Sequence, residues 1–265
     1  MHEILDSLPA GSFVLDLGCA DGSFAESATR ANVVRVDRNR LQNKGGRFVQ
    51  ADAAMLPFPD GAFMAIISNH SLEHICDIHG SLREIRRVLR SEGALYIAVP
   101  DASTLTDRIY RWLSRGGGHV NAFISPAELA AGVEAATGFR HVTTRTLCSS
   151  LSFLNRRIAP RPLPRRLLLL GGGYEWSLFT YAWFSRRLDH WLGTRMSVYG
   201  WALYFGTIEP PDTTIDTKIR RNVCIRCGAG HAASFLEACS LVRSRLGIRV
   251  YRCPGCGATN PFSPD

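Results

Sequence analysis

Lysine is almost absent from this 265-residue chain: Lys44 and Lys218 are the two among 31 basic residues. Its positive charge is therefore guanidinium, the planar fork that suits phosphate and carboxylate. The chain also lacks a basic stretch followed by an apolar run in its first residues, Met1-His-Glu-Ile-Leu-Asp. No secretory leader is expected, and the eight cysteines are expected as thiols or metal ligands in a reducing, cytoplasmic compartment. A long apolar run is missing too: the nearest, Leu167 to Ser185, is broken by Gly171, Gly172, Gly173 and Glu175. A transmembrane helix is excluded on that count, while contact with a membrane surface stays open. Nor is there a G-x-G-x-x-G after the first strand-like run; Gly18-Cys19-Ala20-Asp21-Gly22 stands there instead, which disfavours a dinucleotide.

What is present is ordinary globular composition, 46% hydrophobic and 20% charged, in a chain long enough to bury a core without staples. Charge is unevenly placed. Residues 1–145 hold 15 basic and 16 acidic side chains and residues 146–265 hold 16 and 7, so the whole excess lies in the second part. That part suits an acidic partner: nucleic acid, a phosphorylated substrate or an anionic membrane.

Short apolar runs alternate with helical patterns over the first hundred residues, as in a parallel sheet covered by helices. Strands are predicted at Phe13 to Leu17, Val33 to Val36, Arg47 to Gln50, Ala62 to Ser68 and Ala94 to Val99. Helices are predicted in the first few residues, near Ser23 to Thr29 and over Ile78 to Leu89. Ser125-Pro126-Ala127-Glu128 combines an N-cap, a first-turn proline and a capping-box glutamate, which opens a helix that Gly138 stops. His141 to Cys148 and Trp201 to Ile208 read as two closing strands. The stretch between them, about 151–198, reads as an insertion carrying Trp176, Trp183 and Trp191 beside arginine pairs, either two or three helices that pack aromatics over the sheet or a substrate cap or interfacial element. A turn-rich linker from Pro210 to about Arg221 then divides a domain over 1–210 from a module over 211–265.

Val14 to Phe24 places Asp16 at a strand end, then a turn with Gly18 and Gly22, then a helical start whose amides face a polar ligand. The second strand ends at Asp37, 21 residues on, where a carboxylate can accept from both hydroxyls of a ribose. The third ends at Ala51-Asp52-Ala53, suited to an adenine edge.

With VLDLGCADG, VVRVD, QADAAMLPFPDGAF, SNHSLEHICD and LREIRRVLRSEGALYIAVPD, the stretch Val14 to Asp101 resembles the class I S-adenosylmethionine-dependent methyltransferases of the UbiE/UbiG-like, type 11 group. The resemblance implies a Rossmann-like seven-stranded α/β sheet in the order 3-2-1-4-5-7-6, strand 7 antiparallel. It also implies that Asp16, Gly18, Cys19, Ala20, Gly22, Asp37, Arg38, Asp52, Ala53 and Asn69 hold S-adenosylmethionine. Two positions depart from the pattern: Met64 stands where an aspartate is usual, and Ser91-Glu92-Gly93-Ala94 replaces a Lys-Pro-Gly-Gly turn.

Methyl transfer is an in-line displacement, so positioning supplies most of the acceleration and a base is needed only for a protonated acceptor. His70, His74 and His119 are the candidate bases. His70-Ser71-Leu72-Glu73-His74 resembles the E-x-x-E-H segment that holds a divalent cation in UbiG-type O-methyltransferases, with His70 replacing the first glutamate.

Cys224-x-x-Cys227-Gly228 and Cys253-x-x-Cys256-Gly257 are paired knuckles with the donor set of a four-cysteine structural zinc site. The module resembles a zinc ribbon, with a helix expected over Ala232 to Leu246, Cys239 in its core, His231 at its surface and Phe235, Tyr251 and Phe262 as exposed aromatics. Cys19, Cys76 and Cys148 are expected to be buried thiols. The first functional expectation is methyl transfer to an oxygen or nitrogen atom of a small molecule, lipid-linked and phosphorylated acceptors included. The alternatives are an RNA methyltransferase gripping phosphates with the basic ribbon and a non-catalytic scaffold that keeps the fold.

Overall fold

The computed structural model describes residues 1–20, 22–39, 47–113, 118–158, 165–207, 219–245 and 247–264. The expected linker from Pro210 lies mostly outside them, as do Asp21, Ile208 and two of the glycines before His119. The chain divides into two compact units. One comprises Met1–Pro100, Gly118–Arg145 and Trp201–Thr217; the other comprises Asp101–Gly117, Thr146–Gly200 and Lys218–Asp265.

In chain order the elements are α1 (His2–Ser7), β1 (Phe13–Leu17), β2 (Asn32–Asp37), β3 (Arg47–Gln50), β4 (Phe63–Asn69), α2 (Ile78–Val88), β5 (Leu89–Pro100), α3 (Leu105–Leu113), α4 (Pro126–Thr137), β6 (His141–Cys148), α5 (Glu175–Leu192) and β7 (Val198–Gly206). The strands join as β3-β2-β1-β4-β5-β7-β6, the expected order. β1 to β5 pair in parallel. The Asp101 amide donates to Tyr199 O and the Thr207 amide to Gly93 O, so one number rises as the other falls and β7 runs antiparallel.

Val14, Leu15, Asp16 and Leu17 are all buried, as befits a central parallel strand covered on both faces. Leu15, Ile66, Ile97 and Leu203 from the sheet meet Ile85 of α2 and Val133 of α4 in one core. Both helices are capped as their sequences direct: Asp77 accepts from the Gly80 amide at 2.8 Å, and Ser125 accepts from the Glu128 amide at 3.2 Å. Gly138 closes α4 at φ +74°, a left-handed position that suits glycine.

The loop before β4 is held chiefly by Arg87, with Glu84 accepting from the Leu56 amide at 2.7 Å. Arg87 donates to Leu56 O at 2.9 Å and Phe58 O at 2.7 Å while pairing with Glu84 and Asp60. Arg87→Ala is expected to lower unfolding free energy by about 2 kcal/mol, because both carbonyls lose a charged donor. The Arg87 hydrogen bond holds the Glu84 carboxyl below its ordinary range. The Glu84 contribution is therefore complete above the ordinary carboxylate pKa and is lost as pH falls through the lowered one. Urea titrations of both proteins should show a stability gap that narrows as pH drops below about 4.

Two expected helices take other forms. Near Ser23 to Thr29 there is only a 3-10 turn, Glu26–Ala28. The Phe24 carbonyl, which a helix would direct to Ala28, accepts from Arg35 Nη2 at 3.1 Å, and the Ala28 amide turns back to Ala25 O. Over 232–246 the helix stops at Ala238, and Val242–Arg245 pairs antiparallel with Ile248–Arg252. Arginine alternates there with smaller residues, and Gly247 takes a left-handed φ of +74° just before the second strand.

The second unit joins the insertion to the cysteine module. Among its described residues the insertion contributes one long helix, α5, and short 3-10 turns. The module contains β8 (Asn222–Val223), β9 (Gly230–His231), α6 (Ala233–Ala238), β10 (Val242–Arg245), β11 (Ile248–Arg252) and β12 (Thr259–Pro261). Insertion side chains seize the first knuckle by its backbone. Ser150 donates to Cys224 O, Asn155 to Ile225 O, and Arg186 to Val223 O and Pro261 O, at 2.8 to 2.9 Å. Glu175 receives Arg226 through both carboxylate oxygens, at 2.6 and 3.0 Å. Ile225 is buried among Leu113, Leu151, Leu154 and Leu178. Among the described residues, no helix is long and apolar enough to cross a membrane.

Candidate functional site

The carboxyl ends of β1, β2, β3 and β4 carry the residues that the sequence singles out. Asp16 is wholly buried; its Oδ2 accepts from the Ser23 amide at 3.0 Å and lies 3.8 Å from Arg35 Nε. Burial pushes its carboxyl up, and Ser23 and Arg35 pull against that. Asp16 Oδ1 has no hydrogen-bond partner among the described residues. An acceptor left open beside a glycine turn fits a ligand with donor groups.

Gly18 sits at φ +67°, and a Cβ there would fall inside contact distance of the Ser71 side chain. Only glycine lets the turn lie against Ser71, whose hydroxyl donates to Leu17 O at 2.9 Å. Ala20 takes a left-handed conformation at φ +40°, which aims its amide at Asp37 Oδ2, 2.9 Å away. The Asn39 amide donates to Asp37 Oδ1 at 2.8 Å. Two backbone donors thus fix the carboxylate, and each oxygen retains a lone pair for a ribose hydroxyl. Cys19 contributes backbone alone: burial and the neighbouring Asp16 and Asp37 carboxylates push its thiol up to about 12, so it is neutral at pH 7.

The Ala51 amide donates to Asp37 O at 3.1 Å and brings the third strand end alongside. Asp52 Oδ1 accepts from the Ala54 amide at 2.9 Å, which closes a turn around Ala53. Arg38 is exposed at the end of β2, and Asn69 is half-buried at the end of β4. The predicted cofactor residues therefore lie on adjoining strand ends, with Asp16, Gly18, Ala20, Gly22 and Asp37 in one hydrogen-bonded loop.

The three histidines separate into two arrangements. His70, at φ +54°, points Nδ1 toward Glu73 Oε1 at 3.7 Å. His74 and His119 meet ring edge to face with centroids 4.8 Å apart. His74 Nδ1 is 3.0 Å from Gly118 O, so it carries the proton and Nε2 is the basic nitrogen. Glu73 is buried, and its Oε2 has no hydrogen-bond partner among the described residues. Ligand atoms of Glu73, His74 and His119 lie within 4.8 Å of one another, a donor set that could hold a divalent cation. Asn121 fixes the loop beneath by donating to Leu72 O and Ile75 O.

Arg35, Ser71 and Asn121 escape the sequence reading. Arg35 leaves one signal, a cation among the valines of β2. Ser71 and Asn121 leave none.

In the second unit the four knuckle sulfurs converge within 4.8 Å, with Cys224 to Cys256 at 3.5 Å and Cys227 to Cys253 at 3.6 Å. A tetrahedral zinc with arms of about 2.3 Å has sulfur edges of about 3.8 Å. The Arg226 amide approaches Cys224 Sγ at 3.4 Å, as a knuckle requires. Four sulfurs this close fit the ion, with Cys224 and Cys253 buried, Cys256 half-buried and Cys227 at the surface. His231 is half-buried, with Nε2 3.5 Å from Cys253 Sγ, rather than a surface residue. Cys239 and Cys76 prove exposed, because Cys239 follows the last turn of α6 and Cys76 sits in a polar loop. Tyr251 and Phe262 are buried in the module core, which leaves Phe235 as the exposed aromatic of the expected three.

Comparison with known proteins is concordant. The family described as "Methyltransferase domain" matches residues 15–97. A ubiquinone biosynthesis O-methyltransferase of Xanthomonas oryzae is 34% identical over 144 residues, spanning 46% of this chain and 60% of the relative. A ubiquinone/menaquinone biosynthesis C-methyltransferase of Hahella chejuensis is 33% identical over 106 residues, spanning 33% and 43%. The chain thus covers less than two thirds of either relative. The crystal structure of a SAM-dependent methyltransferase from Archaeoglobus fulgidus superposes with a TM-score of 0.51 at 18% identity, over 76% of this chain and 87% of that one. That likeness is one of fold.

Proposed function

We propose that this chain, which carries a methyltransferase domain over residues 15–97, transfers a methyl group from S-adenosylmethionine to an oxygen or nitrogen atom of a small molecule. The observation that carries the reading is the Asp37 carboxylate, locked by the Ala20 and Asn39 amides at the end of β2 with acceptor capacity to spare. S-adenosylmethionine supplies an activated methyl group and a neutral leaving group. The chain's task is to hold the donor, exclude water and manage one proton.

Asp16 and the backbone around Gly18 and Gly22 would hold the amino-acid end, Asp37 the ribose, and Asp52, Ala53 and Arg38 the adenine side, while Asn69 at the end of β4 stands where donor and acceptor would meet. His74 is assigned as the base. Its Nδ1–H is committed to Gly118 O, which turns Nε2 toward proton acceptance, and His119 stands against its ring. A hydroxyl acceptor matches this arrangement better than a carbon acceptor, because deprotonation precedes attack. The two relatives are named for oxygen and for carbon methylation, so this choice rests on the histidine geometry, and a phenolic or lipid-linked hydroxyl is the acceptor class to test first. His74→Ala is expected to lower kcat about 100-fold at neutral pH while leaving donor affinity within about twofold. Calorimetry for binding and single-turnover rates for transfer measure the two separately.

Cys224, Cys227, Cys253 and Cys256 are proposed to hold one structural zinc. With all four positions filled by thiolate the ion offers no open site for substrate, so its chemistry is confined to holding the module together. Incubation with methyl-labelled donor and cell extract, followed by separation of RNA, protein, organic and water-soluble fractions, tests the central reading. Label in a small-molecule fraction supports it; label confined to RNA or protein, or none at all while donor still binds, rejects it.

A further inference from the structure

We propose that a cavity of about 350 Å³ in the second unit, between α5 and the last strands of the cysteine module, binds the phosphate group of a small ligand. Its wall carries Arg186, Arg187, His190 and Arg249, and no carboxylate lines it among the described residues. Four cationic or protonatable groups without an acid in the same wall set up a field for a multiply charged anion.

The three arginines are presented differently. Arg187 is exposed, with its guanidinium 5.3 Å from the Trp183 ring and 5.1 Å from the Trp191 ring. It makes no ion pair or hydrogen bond among the described residues. Stacking on two indoles removes much of its conformational freedom while its N–H edge stays available, the state in which guanidinium grips phosphate in bidentate fashion. Arg249 lies 4.3 Å over the Phe262 ring and pairs through one nitrogen with Glu237.

Arg186 is buried and donates to Val223 O and Pro261 O, with no carboxylate partner. Two carbonyl dipoles are the hydrogen-bond acceptors its charge meets among the described residues. A desolvated cation in the wall strengthens attraction for an anion in the cavity. Trp191, 65% exposed on the rim, offers an apolar face to the organic part of the ligand. A phosphate monoester, with up to two charges and three acceptor oxygens, matches this donor set better than a carboxylate does.

A lipid headgroup and a soluble phosphate ester present the same oxygens, and the experiment separates them. The full chain, as purified with its metal, is titrated by calorimetry with inorganic pyrophosphate and with phenyl phosphate, no methyl donor present. It is also floated with phosphatidylcholine vesicles with and without phosphatidic acid, whose headgroup is a phosphate monoester. Saturable pyrophosphate binding is expected, weakened about tenfold or more by Arg187→Ala, less by Arg187→Lys, and not by Arg83→Ala on α2. The affinity should fall as salt rises. Binding of pyrophosphate and phenyl phosphate without flotation assigns a soluble ligand; flotation that pyrophosphate competes away assigns a headgroup. Absence of both, or equal binding by wild type and Arg187→Ala, overturns the site. Because Arg187 is exposed, the variant should keep its melting temperature, and neither readout depends on methyl transfer.

Discussion

Stripping the metal, or replacing Cys224 by serine, is expected to abolish amide-exchange protection over residues 219–264 and to loosen residues 150–155 and the Glu175 to Arg186 stretch of α5 as well. The module is too small to be held by its own core: Tyr251, Leu236, Ala233, Ala258 and Phe262 are most of what it buries besides cysteine. Four-cysteine zinc sites contribute roughly 10 kcal/mol or more of folding free energy in small modules, more than a core of that size can replace. The loosening of the insertion follows from hydrogen bonding. Val223, Cys224 and Ile225 each surrender a carbonyl to an insertion side chain, and Glu175 grips Arg226 from α5. If the knuckle unravels, Ser150 and Asn155 are left buried without acceptors, at about 1 to 3 kcal/mol apiece.

Mass spectrometry of exchanged peptides and metal analysis decide the matter together. One zinc per chain with coupled loss of protection in both segments is the expected pair of results. A chain that purifies without metal yet keeps the module protected would refute the assignment. Cys148→Ser serves as the control: its buried thiol, pushed up by burial, lies outside the knuckles.

That coupling was hidden in the sequence, and the reason is distance along the chain. The knuckles announce themselves by spacing, since two thiolates two residues apart can share an ion whatever surrounds them. Their partners carry no such mark. Ser150 and Asn155 stand some seventy residues before the carbonyls they bind, and Arg186 reads as one member of a surface arginine pair although it is buried. A division at residue 210 follows composition, whereas the contacts put the insertion and the module in one unit.

The parallel sheet was legible because its strands are short apolar runs that must be covered on both faces, and because Asp16, Asp37 and Asp52 each end one. The hairpin of β10 and β11 was missed because Val-Arg-Ser-Arg can satisfy helical and strand periods alike, and only the Leu246-Gly247 pair tips it toward a turn. The turn before Arg35 was misread for a related reason. Seven residues near Ser23 look helical until a cation from the next strand takes the Phe24 carbonyl.

Asp37→Ala is expected to raise the dissociation constant for S-adenosylmethionine about 100-fold or more while the domain stays folded. The carboxylate accepts from the Ala20 and Asn39 amides, both at an exposed strand end, so water can replace it there at small cost to stability. For a ribose the loss is larger. Two hydrogen bonds to a charged acceptor are worth about 1.5 to 3 kcal/mol each, and the turn at Ala20, held at φ +40° by its bond to Asp37, also loses its tether. Asp37→Asn separates the two contributions. It preserves shape and one acceptor but replaces the other with a donor that opposes one of the two backbone amides and removes the charge, so it should sit close to alanine rather than midway. A methyl donor analogue lacking the ribose hydroxyls closes the cycle: it should bind wild type weakly and be nearly indifferent to Asp37→Ala. Equal loss of affinity for the two ligands would mean that the substitution acts by collapsing the turn, and the ribose would then have to be placed on a residue other than Asp37.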